Sequence, residues 1–97
     1  MPLLGFRHKG LERFFRTGSK AGIQAAHAAR LRLILGRLAV AMHPRDMQLP
    51  GLDLHELRGD RKGTFAVSVS GNWRVTFRWS DTEGTIGVTD VDYEDYH

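Results

Sequence analysis

Between residues 11 and 79 the spacing of apolar side chains changes from three-and-four to two, and no other feature of the chain constrains its fold as strongly. Leu11, Phe14 and Phe15 recur at helical spacing, and Gly18 stands where a left-handed residue can end a helix. From about Ala25 to Met42 the helical period returns: Leu31, Ile34, Leu35, Leu38 and Met42 make one apolar stripe, with Arg30 and Arg37 on another face. His43-Pro44 closes that stripe, because the residue before a proline is disfavoured in the helical region. Pro44 to Gly51 reads as loop. Then the period becomes two. Phe65, Val67 and Val69 alternate with Ala66, Ser68 and Ser70, while Trp73, Val75, Phe77 and Trp79 alternate with Asn72, Arg74, Thr76 and Arg78. Ser70-Gly71-Asn72 joins the two runs with hairpin chemistry. A last strand is expected from about Thr85 to Tyr93, and its apolar phase slips between Val88 and Val91, which points to a bulge or an early end. Leu3 to Phe6 reads as a short first strand.

Helices followed by an antiparallel meander predict an α+β fold. The two helices are expected to cover one face of a twisted sheet through Phe65, Val67, Val69, Trp73, Val75 and Phe77. The other face then stays polar and carries Arg74 and Arg78. With 97 residues, 41% of them hydrophobic and 26% charged, the chain is expected to form one globular domain over residues 1–97. No apolar run approaches the roughly 18 residues of a membrane span, and MPLLGFRHKG lacks the apolar core of a secretory signal, so no membrane partner is expected. The chain has no cysteine, which removes disulfides, thiolate nucleophiles and Cys-based zinc sites and is compatible with a cytoplasmic location. Charge is unevenly spread. Residues 1–45 carry nine Lys or Arg against the single acid Glu12, whereas residues 81–97 carry six acids and no Lys or Arg. A basic first half suits a polyanion such as nucleic acid, and equally suits solvated helix faces.

Three groups of residues could carry chemistry. Arg74 and Arg78 lie four apart on one strand and so point the same way, as phosphate-binding guanidiniums or as a solvated strand face with cross-strand ion pairs. His55, in Leu54-His55-Glu56-Leu57-Arg58, is a residue type that titrates near neutrality; it is an acid–base candidate or a surface or capping histidine. Asp95-Tyr96-His97 places a carboxylate, a phenol and an imidazole in a row at the chain end. A frayed acidic tail is the default there. RNA cleavage through the neighbouring 2′-hydroxyl needs a base, an acid and cations on the phosphorane, and His, Asp and Arg supply all three without metal. His8 and His43 flank helix ends, and His43 suits the negative end of the second helix. His27 sits among alanines and reads as packed or exposed rather than catalytic. No histidine spacing suggests a metal site, and no glycine-rich phosphate loop is present, so neither metal nor cofactor is expected.

Taken together, FRHKGLERFF at 6–15, GSKAGIQAAHAARLRLIL at 18–35, LPGLDLHELRGDRKG at 49–63, VSVSGNWRVTFRW at 67–79 and VDYEDYH at 91–97 resemble the HigB-type plasmid maintenance killer proteins of the RelE/ParE toxin superfamily. The resemblance implies a RelE-like fold with the active site on the sheet face away from the helices. It implies mRNA cleavage in the ribosomal A site, and inhibition by a helix-turn-helix, HigA-like antitoxin, with operator DNA met only through the antitoxin complex. Carried over position by position, the family's functional residues fall on His55, Arg58, Arg74, Asp95, Tyr96 and His97. Arg58 stands where the family often has lysine; phosphate binding survives that change, but proton transfer does not, because arginine keeps its proton. The implied assignment makes His97, Asp95, His55 and Arg74 catalytic, with Arg58, Tyr96 and Arg78 on RNA or phosphate. The alternative on the same fold is a non-enzymatic, ParE-like poison of DNA gyrase, which has no need of that constellation.

Overall fold

A computed structural model describes residues 3–82 and 84–95. Helix α1 spans Lys9–Thr17 and α2 spans Ala28–Val40; strands β1 (His55–Glu56), β2 (Thr64–Ser70), β3 (Trp73–Thr82) and β4 (Thr85–Asp95) follow. His8 starts α1 by accepting from the Leu11 amide at Nδ1 (2.9 Å), and Gly18 ends it in the left-handed region at φ 80°, its N–H donating to the Phe14 carbonyl. A non-glycine residue would be strained there.

The apolar stripe of α2 is as expected except at its end. Leu31, Ile34, Leu35 and Leu38 are buried, but Met42 is 70% exposed. The helix stops at Val40, with Ala41 extended. The reason is Asp46, whose carboxylate accepts from the amides of Met42 (2.8 Å) and His43 (3.1 Å). His43 accepts in return from the Arg45 amide. These bonds start a separate 3₁₀ turn at Pro44–Met47 inside the segment read as loop, and Met47 rather than Met42 is buried. His43 therefore caps that turn and not the end of α2.

The sheet is antiparallel throughout, in the order β1-β2-β3-β4. Leu11, Phe14, Leu31, Ile34, Leu35 and Leu38 of the helices share one buried cluster with Val67, Val69, Val75, Phe77, Val88, Val91 and Tyr93 of the strands. Each such Leu, Ile or Phe removed from water contributes about 1.5–3 kcal/mol. Truncating fully buried Phe77 to Ala would cost about 3–5 kcal/mol. The slip in β4 is a real irregularity: the register with β3 shifts between Thr76 and Arg78, and Asp90 takes φ 53°. Leu3 to Phe6 is not a full strand. It makes two isolated parallel bridges, Leu3 to Val88 and Phe6 to Val91, and so covers the otherwise open edge of β4.

Candidate functional site

Antiparallel register decides which candidates share a face, because directly opposed residues project to the same side. His55 opposes Ala66, which opposes Thr76; Ser68 opposes Arg74, and Thr64 opposes Arg78. His55, Arg74 and Arg78 therefore share a face, the one whose residues stand outside the apolar cluster. Its floor is Ala66 and Thr76, both 1% exposed.

His55 is exposed, and its Nδ1 lies 3.0 Å from the Asp53 carbonyl oxygen. A carbonyl only accepts, so Nδ1 carries the proton of the neutral ring and Nε2 is the basic nitrogen. Arg74 folds back over the hairpin, where Nη1 donates to the carbonyls of Gly71 (2.8 Å) and Trp73 (3.1 Å). Its Nε is buried and makes no hydrogen bond to any described residue. A buried donor left in that state costs about 1–3 kcal/mol. Arg78 is exposed and lies across the turn before β2, with Nη1 donating to Thr64 Oγ1 (3.1 Å). Gly63, at φ 92°, makes room for it: a Cβ there would come within 3.1 Å of Arg78 Nη2. Arg58, also exposed, precedes the 3₁₀ turn Gly59–Arg61 and borders a shallow hollow with Glu56 and Lys62.

Asp95 starts from the other side. It opposes Trp73, whereas its neighbour Glu94 opposes Arg74 on the polar face. Tyr96 and His97 lie outside the described residues. Backbone register thus joins His55, Arg74 and Arg78, leaves Arg58 just beyond β1, and places Asp95 at the end of β4 on the Trp73 side.

Two clusters were not visible in the sequence. On the polar face, Arg61 forks onto Glu94 through Nη1 (3.0 Å) and Nη2 (2.7 Å), and Thr76 Oγ1 donates to the same carboxylate (2.6 Å). Glu94 is held below the ordinary glutamate range, first by the Arg61 hydrogen bond and against the opposing effect of burial; the Thr76 hydrogen bond and the charges of Arg61 and Arg7 add to the lowering. On the Trp73 side, His27 is 7% exposed and its Nδ1 lies 2.5 Å from the Tyr93 hydroxyl. Trp73 and Tyr93 approach to 4.6 Å between ring centroids, and His8 meets Tyr93 edge-on at 5.3 Å. Burial raises the Tyr93 phenol above its usual value, and a hydrogen bond from the Gln24 backbone partly offsets this. No local pattern signals either cluster, since the partners stand 33 and 66 residues apart. Arg30, read as a surface cation, instead donates to the carbonyls of Gly51 (2.5 Å) and Ser68 (3.5 Å).

Residues 4–97 match the family described as the RelE-like toxin of the type II toxin–antitoxin system HigB. The chain is also 34% identical over 92 residues to the protein named Endoribonuclease HigB from Proteus vulgaris, across 95% of this chain and 96% of that one.

Proposed function

The chain belongs to the HigB-like family of RelE-like toxins of type II toxin–antitoxin systems, and on that premise we propose that it is a ribosome-dependent endoribonuclease that cuts mRNA in the A site without a metal ion. In this reading α1 and α2 cover one face of the sheet and leave the His55/Arg74/Arg78 face to the message. Arg74, Arg58 and Arg78 hold the scissile phosphate. A base takes the proton of the 2′-hydroxyl, whose oxygen attacks phosphorus. The bond to the 5′-oxygen then breaks, and an acid protonates that leaving oxygen. The products are a 2′,3′-cyclic phosphate and a 5′-hydroxyl. His97 is the proton-transfer residue, Asp95 and His55 are its partner or orienting groups, and Tyr96 stacks on or hydrogen-bonds a nucleotide. The basic helical half meets ribosomal RNA through sequence-independent phosphate contacts. A HigA-like antitoxin holds the toxin silent in the cytoplasm.

The observation that carries the reading is Arg74. Its Nε is a buried donor with no partner among the described residues, on the face it shares with a histidine whose Nε2 is basic. A buried polar group left unpaired calls for an explanation, and a phosphate oxygen is an acceptor suited to a guanidinium. The test is cleavage on preassembled, fixed and washed ribosome–mRNA complexes in EDTA, with analysis of the product ends. Cyclic phosphate and 5′-hydroxyl ends support the reading. A 5′-phosphate, or cleavage abolished by EDTA, contradicts the mechanism.

A further inference from the structure

Glu94 is the acid near the end of β4 that faces the polar side, and its carboxylate gathers three elements. Arg61 reaches it from the turn Gly59–Arg61, Thr76 reaches it from β3, and its own backbone stands opposite Arg74. The turn belongs to the connection between β1 and β2, and β3 separates β2 from β4 in the sheet. The fork therefore ties together two parts of the chain that strand pairing leaves apart. One of them is firmly set. The β1–β2 connection is closed at its base, where the Leu57 amide donates to the Thr64 carbonyl (2.8 Å) and the Gly63 amide to Glu56 Oε2 (2.9 Å). The other is set less firmly. Because the register with β3 shifts between Thr76 and Arg78, the last stretch of β4 forms its own short ladder, from Asp92 opposite Thr76 to Asp95 opposite Trp73. A strand bends and twists at such an irregularity, so its end needs a further restraint to hold one direction.

Stability alone does not account for the fork. At 38% and 21% exposure, an ion pair adds little to folding, because solvent screens it. Acid–base chemistry does not account for it either. Arginine keeps its proton, and a carboxyl held below its ordinary range by the Arg61 hydrogen bond is a poor base. What two parallel N–H···O bonds do well is fix an angle as well as a distance. The elements so fixed carry site residues. Arg58 immediately precedes the turn, its carbonyl accepting from the Arg61 amide (3.3 Å), and Asp95 follows Glu94 in β4. We infer that Arg61 and Glu94 are positioning residues, whose fork sets the spacing between the cationic turn at Arg58 and the chain end that begins at Asp95; the chemistry assigned to those two places rests on the nuclease reading above. Tyr96 and His97 are joined covalently to that end, so its direction bounds where they can reach. In such a reaction a misplacement of about 1 Å can cost roughly 100-fold in rate.

The test uses the full chain with Arg61→Lys, Glu94→Gln and the two combined. Lysine keeps the charge and loses the fork, and glutamine keeps the shape and loses the charge. Three quantities are read on each: the single-turnover rate at saturating ribosome–mRNA complex, the half-saturating concentration, and the melting midpoint. Each single variant should lose roughly 10- to 100-fold in saturating rate. The half-saturating concentration should stay within about twofold of wild type, since the lost interaction acts on the chemical step and not on binding. The midpoint should fall by a few degrees at most. The double variant should be no slower than the slower single, because the two residues act as one unit. Four results overturn the positioning role: wild-type rates in both singles, losses that multiply in the double, a raised half-saturating concentration at normal rate, or a slow Arg61→Lys beside a fast Glu94→Gln. The last would mean that Arg61 meets the phosphate itself. A wild-type chain that cuts no ribosome-bound mRNA refutes the nuclease reading and the positioning role with it. Cleavage by wild type and both singles alike refutes the positioning role and leaves the nuclease reading standing.

Discussion

His27 and His55 carry the same imidazole into opposite circumstances. His27 is 7% exposed, bonded to the Tyr93 hydroxyl and packed edge-on to Trp73 and Tyr93. His55 is exposed, tethered at one nitrogen to a backbone carbonyl, and shares its face with Arg74 and Arg78. The first environment spends the ring on structure. The second fixes the tautomer and leaves the basic nitrogen outward. A histidine's role here follows from what its second nitrogen meets, which local sequence does not reveal.

The largest effect that could break this division lies at the chain end. His97→Gln should lower the rate of ribosome-bound mRNA cleavage by about 10²–10⁴, the contribution of a positioned proton-transfer group, with an unchanged melt. A rate within threefold of wild type would move proton transfer to Asp95 or His55. Next, Arg74→Ala should cost about 10²–10³ in rate, as expected for one charge-stabilising donor. It should not lower stability, since it also removes a buried, unpaired Nε. Full growth arrest by this variant would take Arg74 out of the site.

The aromatic side responds in the other currency. Tyr93→Phe removes the hydroxyl that pairs with His27 and should cost about 1–3 kcal/mol, because the buried imidazole is left without that partner. For a chain of this size each kcal/mol is about 4–8 °C of melting temperature. Cleavage below the melt should persist, and a variant that melts like wild type would mean that the bond contributes nothing net.

The smallest effect concerns Glu94. Its carboxyl is depressed by Arg61, so its contribution to stability is present above the unfolded value of 4.5 and is lost as pH falls through the lower folded value. Arg61 is 38% exposed and Glu94 21%, so solvent screens the pair and the contribution stays at about 1 kcal/mol or less. Glu94→Gln should therefore melt a few degrees lower at neutral pH, and the gap should close only as pH falls through the depressed folded value of Glu94. A gap that does not narrow at all on acidification would assign the loss to packing instead.

Much of the frame was legible because it is periodic. Leu31, Ile34, Leu35 and Leu38 announce their face at helical spacing, Val67, Val69, Val75 and Phe77 at spacing two, and the phase slip near Val91 marks the irregular register that carries Asp90. The misreadings sit where a distant or non-periodic partner decides. Met42 continues the stripe in sequence but is exposed, because Asp46 captures the backbone amides that follow α2. Arg30 is drawn from the basic surface to the carbonyls of Gly51, in a loop, and Ser68, in β2. Leu3 to Phe6 has strand chemistry but, among the described residues, meets β4 at two isolated bridges and not along a continuous ladder. On the polar face, residue type and phase singled out Arg74, Arg78 and His55, and the register sets the three on that one face. Arg61 and Glu94 were not singled out, since nothing local joins residues 33 apart.

The most direct test pairs the two histidines and reads both quantities on each variant: single-turnover cleavage of ribosome-bound mRNA and the melting midpoint. His55→Gln should lose about 10²-fold or more in rate and keep its midpoint, because the ring is exposed and, among the described residues, forms one hydrogen bond, to the Asp53 carbonyl. His27→Gln should lose several degrees and, assayed well below its midpoint, cleave within a few-fold of wild type. If His55→Gln cleaves normally while a fully folded His27→Gln does not, the chemistry belongs to the aromatic side of the sheet and the account is wrong.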